Sequence, residues 1–357
     1  MADPSHFLEY PNSMYLAVIE ALKAETFPNP KVGAVLLNKN NKVKAIGHHK
    51  GKGTNHAEIE IINNTSIEST DTLYVTLEPC FHTDSSPSCA DELLKTEIQN
   101  VVIGDIDSDK RTSGKSIEKL KNNGLNVTLI EGVNNFVNPN YNKKNYGDNS
   151  ITYIGKIATS NDNKIFDYSD SSKYITNSES LDFTHLLRST VDAILIGKNT
   201  LITDNPQLNI RLNPLSHIDI YKYVLWGNDR NDIEKYAKKH SEKLFLTSFD
   251  NKLSNVVNIN DLTFENLDLY MNNQNIKSLL VEGGNYVHKL FISSQIYDYF
   301  YKFVSENTII EGLSIDNHIL EYLMNDMIQI KEIQLKDNSL HIYNSVSYTH
   351  LTLPTSS

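Results

Sequence analysis

The segment His56-Ala57-Glu58, followed by Pro79-Cys80 and then by Cys89, constrains this chain more than any other part of its sequence. One imidazole and two thiolates can fill three of the four positions around a tetrahedral Zn²⁺, which leaves the fourth for a water molecule. A carboxylate two residues after the histidine can move protons to and from that water without being a ligand. The segment therefore predicts a catalytic zinc site, with His56, Cys80 and Cys89 as ligands and Glu58 as the catalytic acid and base.

Two other interpretations remain for the cysteines, which are the only two in the chain. They could close a short loop as a disulfide, or they could be unrelated thiols in a hydrophobic core. Residues 1–10 have neither the basic start nor the apolar run of a secretory signal, so we expect a cytoplasmic protein. A structural disulfide is rare in that compartment, and the histidine and glutamate nearby favour the metal site.

Size and charge narrow the class of protein. The 357 residues are enough for two domains, each with its own hydrophobic core. No apolar run approaches the roughly 18 to 20 residues that a membrane-spanning helix needs. The net charge of -11 would repel a polyanion. We therefore expect a small-molecule substrate, and neither a nucleic acid nor a membrane as partner.

Hydrophobic patterning predicts how the first domain presents the zinc ligands. Residues 32–37 are typical of a buried strand, and residues 57–63 have helical spacing. Residues 72–77 are rich in β-formers and lead to Cys80, and a further helix is predicted over Cys89–Leu94. The ligands would then lie at two helix starts and one strand end, which are rigid positions for a catalytic site.

A second domain is predicted beyond residues 134–150, a polar stretch that we interpret as a linker. Further along, Leu279-Leu280-Val281-Glu282-Gly283-Gly284 predicts a buried strand that ends in a glycine turn and opens a helix. The amides of a helix start can bind an anion such as the pyrophosphate of a cofactor. A pair of glycines is often only a turn, however, and the chain has no G-x-G-x-x-G, so the ordinary dinucleotide-binding fingerprint is missing.

The first-domain motifs resemble a known family. The pattern H-x-E…P-C-x-x-C is the signature of zinc deaminases, although eight residues separate the two cysteines here. The longer loop, together with Pro28-Asn29-Pro30-Lys31-Val32-Gly33 and Leu77-Glu78-Pro79-Cys80-Phe81-His82, looks like the deaminase half of the bifunctional riboflavin-biosynthesis deaminase/reductases. The resemblance implies a cytidine-deaminase-like αβα domain over residues 1–148.

One segment departs from that pattern. The family usually has Gly-Arg-Thr-Pro-Pro-Cys where this chain has Asp84-Ser85-Ser86-Pro87-Ser88-Cys89, without an arginine. The metal site is unaffected, but one contact to the substrate phosphate or to the loop is in question. The resemblance also implies that Asn29 donates a hydrogen bond to the substrate, whereas on its own it would equally suit a turn between two prolines.

Residues 149–346 resemble the reductase half of the same family, which implies a dihydrofolate-reductase-like α/β domain that uses NADPH. The matching residues fall into two groups. On the family's pattern the substrate positions are Ser172, Arg188, Leu208, Arg211 and Glu282, and the cofactor positions are Ala158, Tyr174, Thr200, Asp204, Gly283 and Gly284. We expect the two arginines to hold a ribose phosphate, although surface ion pairs are the more ordinary role of such residues.

Two smaller features complete the comparison with the family. Asn163 stands in a turn where the family has glycine, and asparagine is the next best residue for a positive φ. Residues 347–357 lie outside the resemblance and look like the translated sequencing adapters found in assembled genomes, so we interpret them as an artefactual tail.

The resemblance thus implies an enzyme with two activities, whereas the residues alone indicate a zinc hydrolase of an amino-substituted ring joined to an α/β domain. It would deaminate 2,5-diamino-6-ribosylamino-4(3H)-pyrimidinone 5′-phosphate at the zinc site and then reduce the ribosyl group with NADPH, giving 5-amino-6-ribitylaminouracil 5′-phosphate. A homo-oligomer, either a dimer or a tetramer, is expected. Three alternatives stay open. The first is a deaminase of another small pyrimidine, nucleoside or nucleic acid with a fused accessory domain, and the second is a non-catalytic protein whose structural zinc has a fourth ligand such as His82. The third is a deaminase whose second domain is only vestigial or serves for dimerisation.

Overall fold

The protein is described by a computed structural model over residues 12–82, 87–145, 147–169 and 174–345. The chain divides into two compact units, residues 1–149 with 212–218, and residues 150–211 with 219–357. Ser172 and the tail 347–357 fall outside the described residues, so the interpretations given to them stay predictions.

The first unit is built on a five-stranded sheet in the order β2-β1-β3-β4-β5. Strand β1 is antiparallel to β2 and β3, whereas β3, β4 and β5 are parallel. The strands are β1 (Gly33–Leu37), β2 (Val43–His48), β3 (Thr72–Val75), β4 (Asn100–Ile103) and β5 (Asn126–Leu129). The helices are α1 (Asn12–Ala21), α2 (Ala57–Asn64), α3 (Cys89–Leu94), α4 (Lys115–Asn122), α5 (Val133–Val137) and α6 (Tyr141–Asn145).

Both faces of β1 are covered by helices. Ala34 and Leu36 belong to a core that also contains Ile61 of α2, Leu93 of α3 and Leu120 of α4. On the opposite face a side chain at Gly33 would come within 2.1 Å of the Ala17 carbonyl oxygen, so only glycine lets α1 approach the strand this closely. The alternation of side chains along a strand thus produces three layers, which confirms the αβα prediction.

The interpretation of residues 134–150 as a linker was wrong. Two short helices occupy most of this segment, and Phe136 and Val137 of α5 are buried. One of the asparagines that made the segment look like a linker is instead a partner for main-chain groups: the Asn138 side chain accepts from the Lys31 amide at 2.8 Å and donates to the Lys31 carbonyl at 2.9 Å. Because this amide group satisfies partly buried main-chain atoms, polar composition does not indicate a linker here.

The second unit is built on a nine-stranded sheet in the order β11-β10-β9-β8-β12-β6-β13-β16-β15. Seven strands are parallel, and β16 and β15 continue the sheet in antiparallel pairs. Those strands are β6 (Thr152–Thr159), β8 (Ala193–Gly197), β9 (Tyr221–Gly227), β10 (Leu244–Thr247), β11 (Val256–Asn258), β12 (Ser278–Val281), β13 (Tyr299–Ser305), β15 (Met327–Leu335) and β16 (Asn338–Ser345). A separate antiparallel pair is formed by β7 (Lys164–Asp167) and β14 (Gly312–Ser314).

Six helices accompany this sheet: α7 (Ser178–Arg188), α8 (Lys198–Asp204), α9 (Ile233–Lys239), α10 (Phe264–Asn273), α11 (Asn285–Ile292) and α12 (Asn317–Asn325). The prediction of a strand, a glycine turn and a helix around Gly283 is confirmed by β12 and α11. Asn163 has a φ of 60°, as expected for the position where the family has glycine. Ligands of open parallel sheets bind beyond the carboxyl ends of the strands, and β6, β8 and β12 bring their ends together there.

Within the described ranges, the structure contains no helix with the length and apolar character needed to span a membrane.

Candidate active sites

The first candidate site lies in the first unit and consists of His56, Cys80 and Cys89. Their ligand atoms all lie within 4.8 Å of one another. His56 Nδ1 is 3.2 Å from Cys89 Sγ, and the two sulfurs are 3.3 Å apart. Ligand atoms at about 2.0–2.3 Å from a tetrahedral zinc lie roughly 3.3–3.8 Å from each other, so this donor set fits the ion.

Local structure fixes each ligand. His56 is the N-cap residue of α2, and Cys89 is the first residue of α3, whose start is capped by the Ser88 hydroxyl accepting from the Asp91 amide. Cys80 follows β3, and its sulfur accepts a hydrogen bond from the Cys89 amide at 3.2 Å. The ligands therefore lie at two helix starts and beyond one strand end, as the sequence predicted.

The charges of the cluster suit a metal. Hydrogen bonding to Cys89 lowers the pKa of Cys80 to about 4, and hydrogen bonding to Cys80 raises the pKa of His56 to about 9. In the absence of metal, a thiolate is thus stabilised beside an imidazolium. Cys80 has then already lost its proton, but His56 must lose one when it coordinates zinc, so zinc binding would release protons.

Glu58 is the second residue of α2 and is 3% exposed. Burial raises the pKa of its carboxyl to about 7, and the neighbouring charge of His56 opposes this shift. A carboxyl group of this kind can both accept and donate a proton near neutral pH, which is what a general acid and base requires.

The described residues do not supply a fourth protein ligand. His82 was considered for this role in the structural-zinc alternative, but its ring is not part of the cluster within 4.8 Å. A catalytic site keeps one position open, whereas a structural zinc site is closed by four protein ligands. The arrangement of the described residues therefore favours the catalytic interpretation.

Glu78 contributes to this site in a way that the sequence did not predict. Its carboxylate accepts main-chain amide hydrogen bonds from four residues on the far side of the metal loop: Asp107 at 3.1 Å, Gly114 at 2.8 Å, Ser116 at 3.0 Å and Ile117 at 3.3 Å. The carboxylate thus joins the strand end that carries Cys80 to the start of α4. A buried glutamate directly before Pro79-Cys80 was the available signal.

Asn29 is linked to the predicted zinc ligand His56 through a second histidine, His49. Its side-chain nitrogen is 3.0 Å from Nε2 of His49, a buried histidine whose ring packs edge-on against His56 with centroids 5.1 Å apart. His49 Nδ1 is 3.1 Å from the Asn55 carbonyl oxygen, so Nδ1 carries a proton and Nε2 can accept from Asn29. This contact leaves the carbonyl oxygen and one N–H of the Asn29 amide for a ligand.

The second candidate site is a pocket of about 750 Å³ in the second unit. Its volume is in the range of small-molecule and cofactor sites. Apart from Ser172, every residue predicted for the reductase site lines it: Ala158, Tyr174, Arg188, Thr200, Asp204, Leu208, Arg211, Glu282, Gly283 and Gly284.

Arg188 and Glu282 form a buried pair at the base of this pocket. Arg188 Nε donates to Oε1 of Glu282 at 2.7 Å and Nη2 donates to Oε2 at 2.9 Å, while Nη1 donates to the Asn209 carbonyl at 3.3 Å. Every nitrogen of the guanidinium is thus engaged by the protein. This geometry favours Arg188 as the partner that orients Glu282, and its expected role as a phosphate ligand stays a prediction.

Lys156 is a functional candidate that the sequence analysis missed. Its Nζ is 3.9 Å from Glu282 Oε2, and its side chain, 15% exposed, lines the pocket. Burial lowers the pKa of Lys156, and the charge of Glu282 opposes the shift. Burial alone would raise the pKa of Glu282, but the charges of Arg188 and Lys156 outweigh it and lower that pKa. A lysine inside the otherwise uncharged strand β6 was the signal in the sequence.

The backbone at Leu208 is strained. Leu208 has a φ of 54° and is buried, and Asn205 earlier in the same turn has a φ of 44°. A leucine in the left-handed region costs of order 1–3 kcal/mol and persists only where the surroundings impose it. The turn carries the Asn209 carbonyl towards Arg188 and places Arg211 on the pocket wall.

Comparison with known proteins covers both units. The family described as "Cytidine and deoxycytidylate deaminase zinc-binding region" matches residues 9–105, and the "RibD C-terminal domain" matches residues 152–305. The riboflavin biosynthesis protein RibD of Aquifex aeolicus is 31% identical over 314 residues, which are 84% of this chain and 87% of that protein.

Solved structures give the same relationship. An Acinetobacter baumannii RibD structure has a TM-score of 0.59 at 25% identity, covering 94% of this chain and 98% of that one. A Thermotoga maritima structure has a TM-score of 0.60 at 27% identity, covering 93% of this chain and 97% of that one. The Thermotoga protein is named a diaminohydroxyphosphoribosylaminopyrimidine deaminase/5-amino-6-(5-phosphoribosylamino)uracil reductase.

Proposed function

Because the chain belongs to the RibD family and is a bifunctional deaminase and reductase of riboflavin biosynthesis, we propose substrates and residue roles for its two sites. The first unit deaminates 2,5-diamino-6-ribosylamino-4(3H)-pyrimidinone 5′-phosphate. The second unit reduces the ribosyl group of the product to ribityl with NADPH. The observation that carries this proposal is the cluster of one imidazole and two sulfurs beside the buried carboxyl group of Glu58.

In the deaminase site His56, Cys80 and Cys89 hold zinc. When bound, zinc lowers the pKa of a water ligand towards ~7 and so supplies a nucleophile at neutral pH. Glu58 accepts a proton from the attacking water and donates it to the ring nitrogen, and a second transfer through the same carboxyl releases ammonia. Asn29, with its amide held by His49, binds and orients the ring or the ribose.

In the reductase site NADPH supplies a hydride to C1 of the ribosyl group. The bond between C1 and the ring oxygen breaks, and that oxygen must gain a proton. We assign this proton to Lys156 Nζ. Burial lowers the pKa of Lys156 and so makes its proton easier to release, while the nearby Glu282 carboxylate keeps the ammonium form populated. Arg188 orients Glu282, and Arg211 binds the 5′-phosphate of the substrate. Ala158, Tyr174, Thr200, Asp204, Gly283 and Gly284 contact the cofactor.

Three further points belong to the same proposal. The boundary between the deaminase and reductase domains lies at residues 148 and 149, which the division of the chain at residues 149 and 150 supports. The protein works in the cytoplasm, where its two free cysteines stay reduced. It forms a homo-oligomer, and light scattering on the purified protein checks this point directly.

Mass spectrometry of the pyrimidine ribosyl phosphate tests the proposed reactions. Incubation with zinc-loaded protein is expected to give the deaminated ribosyl compound alone, and later addition of NADPH to give its ribityl form. If the protein contains one equivalent of zinc but leaves the compound unchanged, the proposed deaminase substrate is wrong. If it deaminates the compound but does not reduce the product with NADPH, the proposal for the second unit is wrong.

A further inference from the structure

His185 is a pocket residue for which neither activity has yet provided a role. It lies on α7 one turn before Arg188, it is 6% exposed, and its ring lines the pocket of the second unit. Arg211 Nε lies 3.3 Å from Nε2 of His185, and the Arg211 main-chain nitrogen lies 3.4 Å from Nδ1. The ring is therefore packed directly against the arginine that faces the substrate.

The protonation of this ring follows from its partners. An arginine Nε can only donate, so Nε2 of His185 must present a lone pair to it. Burial lowers the pKa of His185 to about 4, the charges of Arg188 and Arg211 act in the same direction, and a hydrogen bond with the Asn209 main chain opposes them. Donors of Arg211 thus point at both ring nitrogens, whereas a neutral imidazole can accept at only one of them. We assign the lone pair to Nε2, which lies at the shorter distance, and the proton to Nδ1.

The contact with His185 also decides which edge of Arg211 is available. A guanidinium can offer two parallel N–H groups either from Nε and one Nη or from the two Nη atoms. Because Nε is occupied by His185, the edge formed by the two Nη atoms remains. Among the residues that the structure describes, no hydrogen bond or ion pair engages these atoms, and Arg211 is exposed at the pocket wall.

Arg188 provides the internal contrast. Its Nε and Nη2 donate to Glu282, and its Nη1 donates to Asn209, so three of its five N–H groups are used and its charge is neutralised by the carboxylate. The two arginines of this pocket therefore have different neighbours. A carboxylate binds two nitrogens of Arg188 and neutralises its charge, whereas a neutral imidazole contacts the guanidinium of Arg211 at Nε only. An acid in place of His185 would neutralise Arg211 as Glu282 neutralises Arg188.

We propose that His185 is a positioning residue of the reductase, which holds Arg211 by Nε so that its two Nη atoms face the 5′-phosphate of the substrate. This inference rests on the proposed function, and in particular on the role given there to Arg211. It goes beyond that function because it names the residue on which recognition of the phosphate depends.

The test compares two substrates that differ only in the phosphate. NADPH oxidation is followed with 5-amino-6-ribosylaminouracil 5′-phosphate and with the corresponding nucleoside, and the ratio of the two kcat/KM values measures recognition of the phosphate. In His185→Phe, which keeps a ring but loses the acceptor, this ratio is expected to fall roughly tenfold, as for one charged hydrogen bond. The change is expected in KM for the phosphorylated substrate, with kcat and the KM for NADPH unchanged.

Two further variants test whether the effect depends on the hydrogen-bond acceptor that His185 presents to Arg211. His185→Gln has an oxygen that can accept from Arg211 and an amide that can donate to Asn209, so it is expected to restore most of the ratio. His318→Phe changes an exposed histidine of the same unit that does not line the pocket, and it is expected to keep the wild-type ratio.

Each failure has a different signature. If His185→Phe lowers kcat/KM equally for both substrates, or leaves the ratio at its wild-type value while Arg211→Ala abolishes it, the proposal for His185 is overturned. If Arg211→Ala itself keeps the ratio, the phosphate role of Arg211 fails. If the wild-type protein oxidises NADPH with neither substrate, the proposed reductase function is wrong. Should His185→Phe not fold, His185→Ala is judged by the same ratio.

Discussion

The two sites of this enzyme differ in how the chain assembles them. The zinc ligands lie close in sequence, and His56 and Cys89 are 33 positions apart. The reductase pocket depends on partners that lie far apart, since Arg188 and Glu282 are separated by 94 positions. A metal site can be recognised in a sequence from the ligand types and their spacing. An anion-binding pocket cannot, because it depends on which charged residues the fold brings into contact.

The two units also shift the pKa values of buried carboxyl groups in opposite directions. In the first unit burial raises the pKa of Glu58 to about 7 and that of Asp105 to about 6. In the second unit the charges of Arg188 and Lys156 lower the pKa of Glu282, whose side chain is 8% exposed. A buried carboxyl without a paired cation can exchange protons near neutral pH, whereas one held by two cations stays charged and serves as a fixed anion.

The largest expected effect is a loss of deamination with no loss of reduction. Glu58→Gln removes the group that transfers protons, so deamination should fall roughly 10²- to 10⁴-fold. Zinc content and reduction of the deaminated substrate should be unchanged. The matched control is Glu60→Gln, two positions later on α2, where the carboxylate pairs with Lys50 near the surface. Loss of reductase activity in Glu58→Gln would contradict the independence of the two sites.

The second effect concerns the buried ion pair of the reductase. Glu282→Gln leaves Arg188 and Lys156 without their carboxylate, which should cost about 3 to 5 kcal/mol of unfolding free energy for the second unit. Glu234→Gln is the control, because Glu234 pairs with Lys238 at the surface and should change stability by less than about 1 kcal/mol. Chemical denaturation measures both. A similar small loss in the two variants would show that the Glu282 pair is not a structural requirement.

The two glycines after β12 are expected to behave differently. A side chain at Gly283 would come within 2.5 Å of Val287 Cβ, so Gly283→Ala should cost about 1 to 3 kcal/mol. At Gly284 nothing lies within 4 Å of the added atom, so Gly284→Ala should fold with a change below about 0.5 kcal/mol. If the cofactor approaches this turn closely, Gly284→Ala should instead raise the KM for NADPH. An unchanged KM would remove Gly284 from the cofactor site.

The smallest expected effect concerns the buried carboxyl group of Asp105 in the first unit. Because the folded pKa of Asp105 is about 6 and its usual value is 3.8, the folded state binds this proton more tightly than the unfolded state. The resulting stabilisation is complete below about pH 4 and is lost as the pH rises through 6, which amounts to about 1.4 kcal/mol between pH 5 and pH 8. Asp105→Asn should lack this part of the pH dependence, and the exposed Glu97→Gln should retain it. Urea titrations at both pH values check the difference.

The same contrast explains what the sequence could predict. His56, Cys80 and Cys89 were identified because few functions other than metal binding require these residues at these positions, and α2 and α3 begin where the pattern indicated. The pocket residues were found only through resemblance to a family, and the task of Arg188 could not be inferred, because its partner is a distant residue of another strand. Residues 134–150 were misassigned because asparagines such as Asn138, whose side chain binds the Lys31 main chain, have the same composition as a linker.

Glu78 links the metal loop to parts of the first unit that do not touch the metal. Its carboxylate holds the amides of Asp107, Gly114, Ser116 and Ile117, and two residues later the chain supplies Cys80. We therefore expect these groups to open and close together, as one cooperative segment of local unfolding. Removal of zinc by a chelator would accelerate hydrogen–deuterium exchange at those four amides as well as at the ligands, so the start of α4 becomes a reporter of metal occupancy.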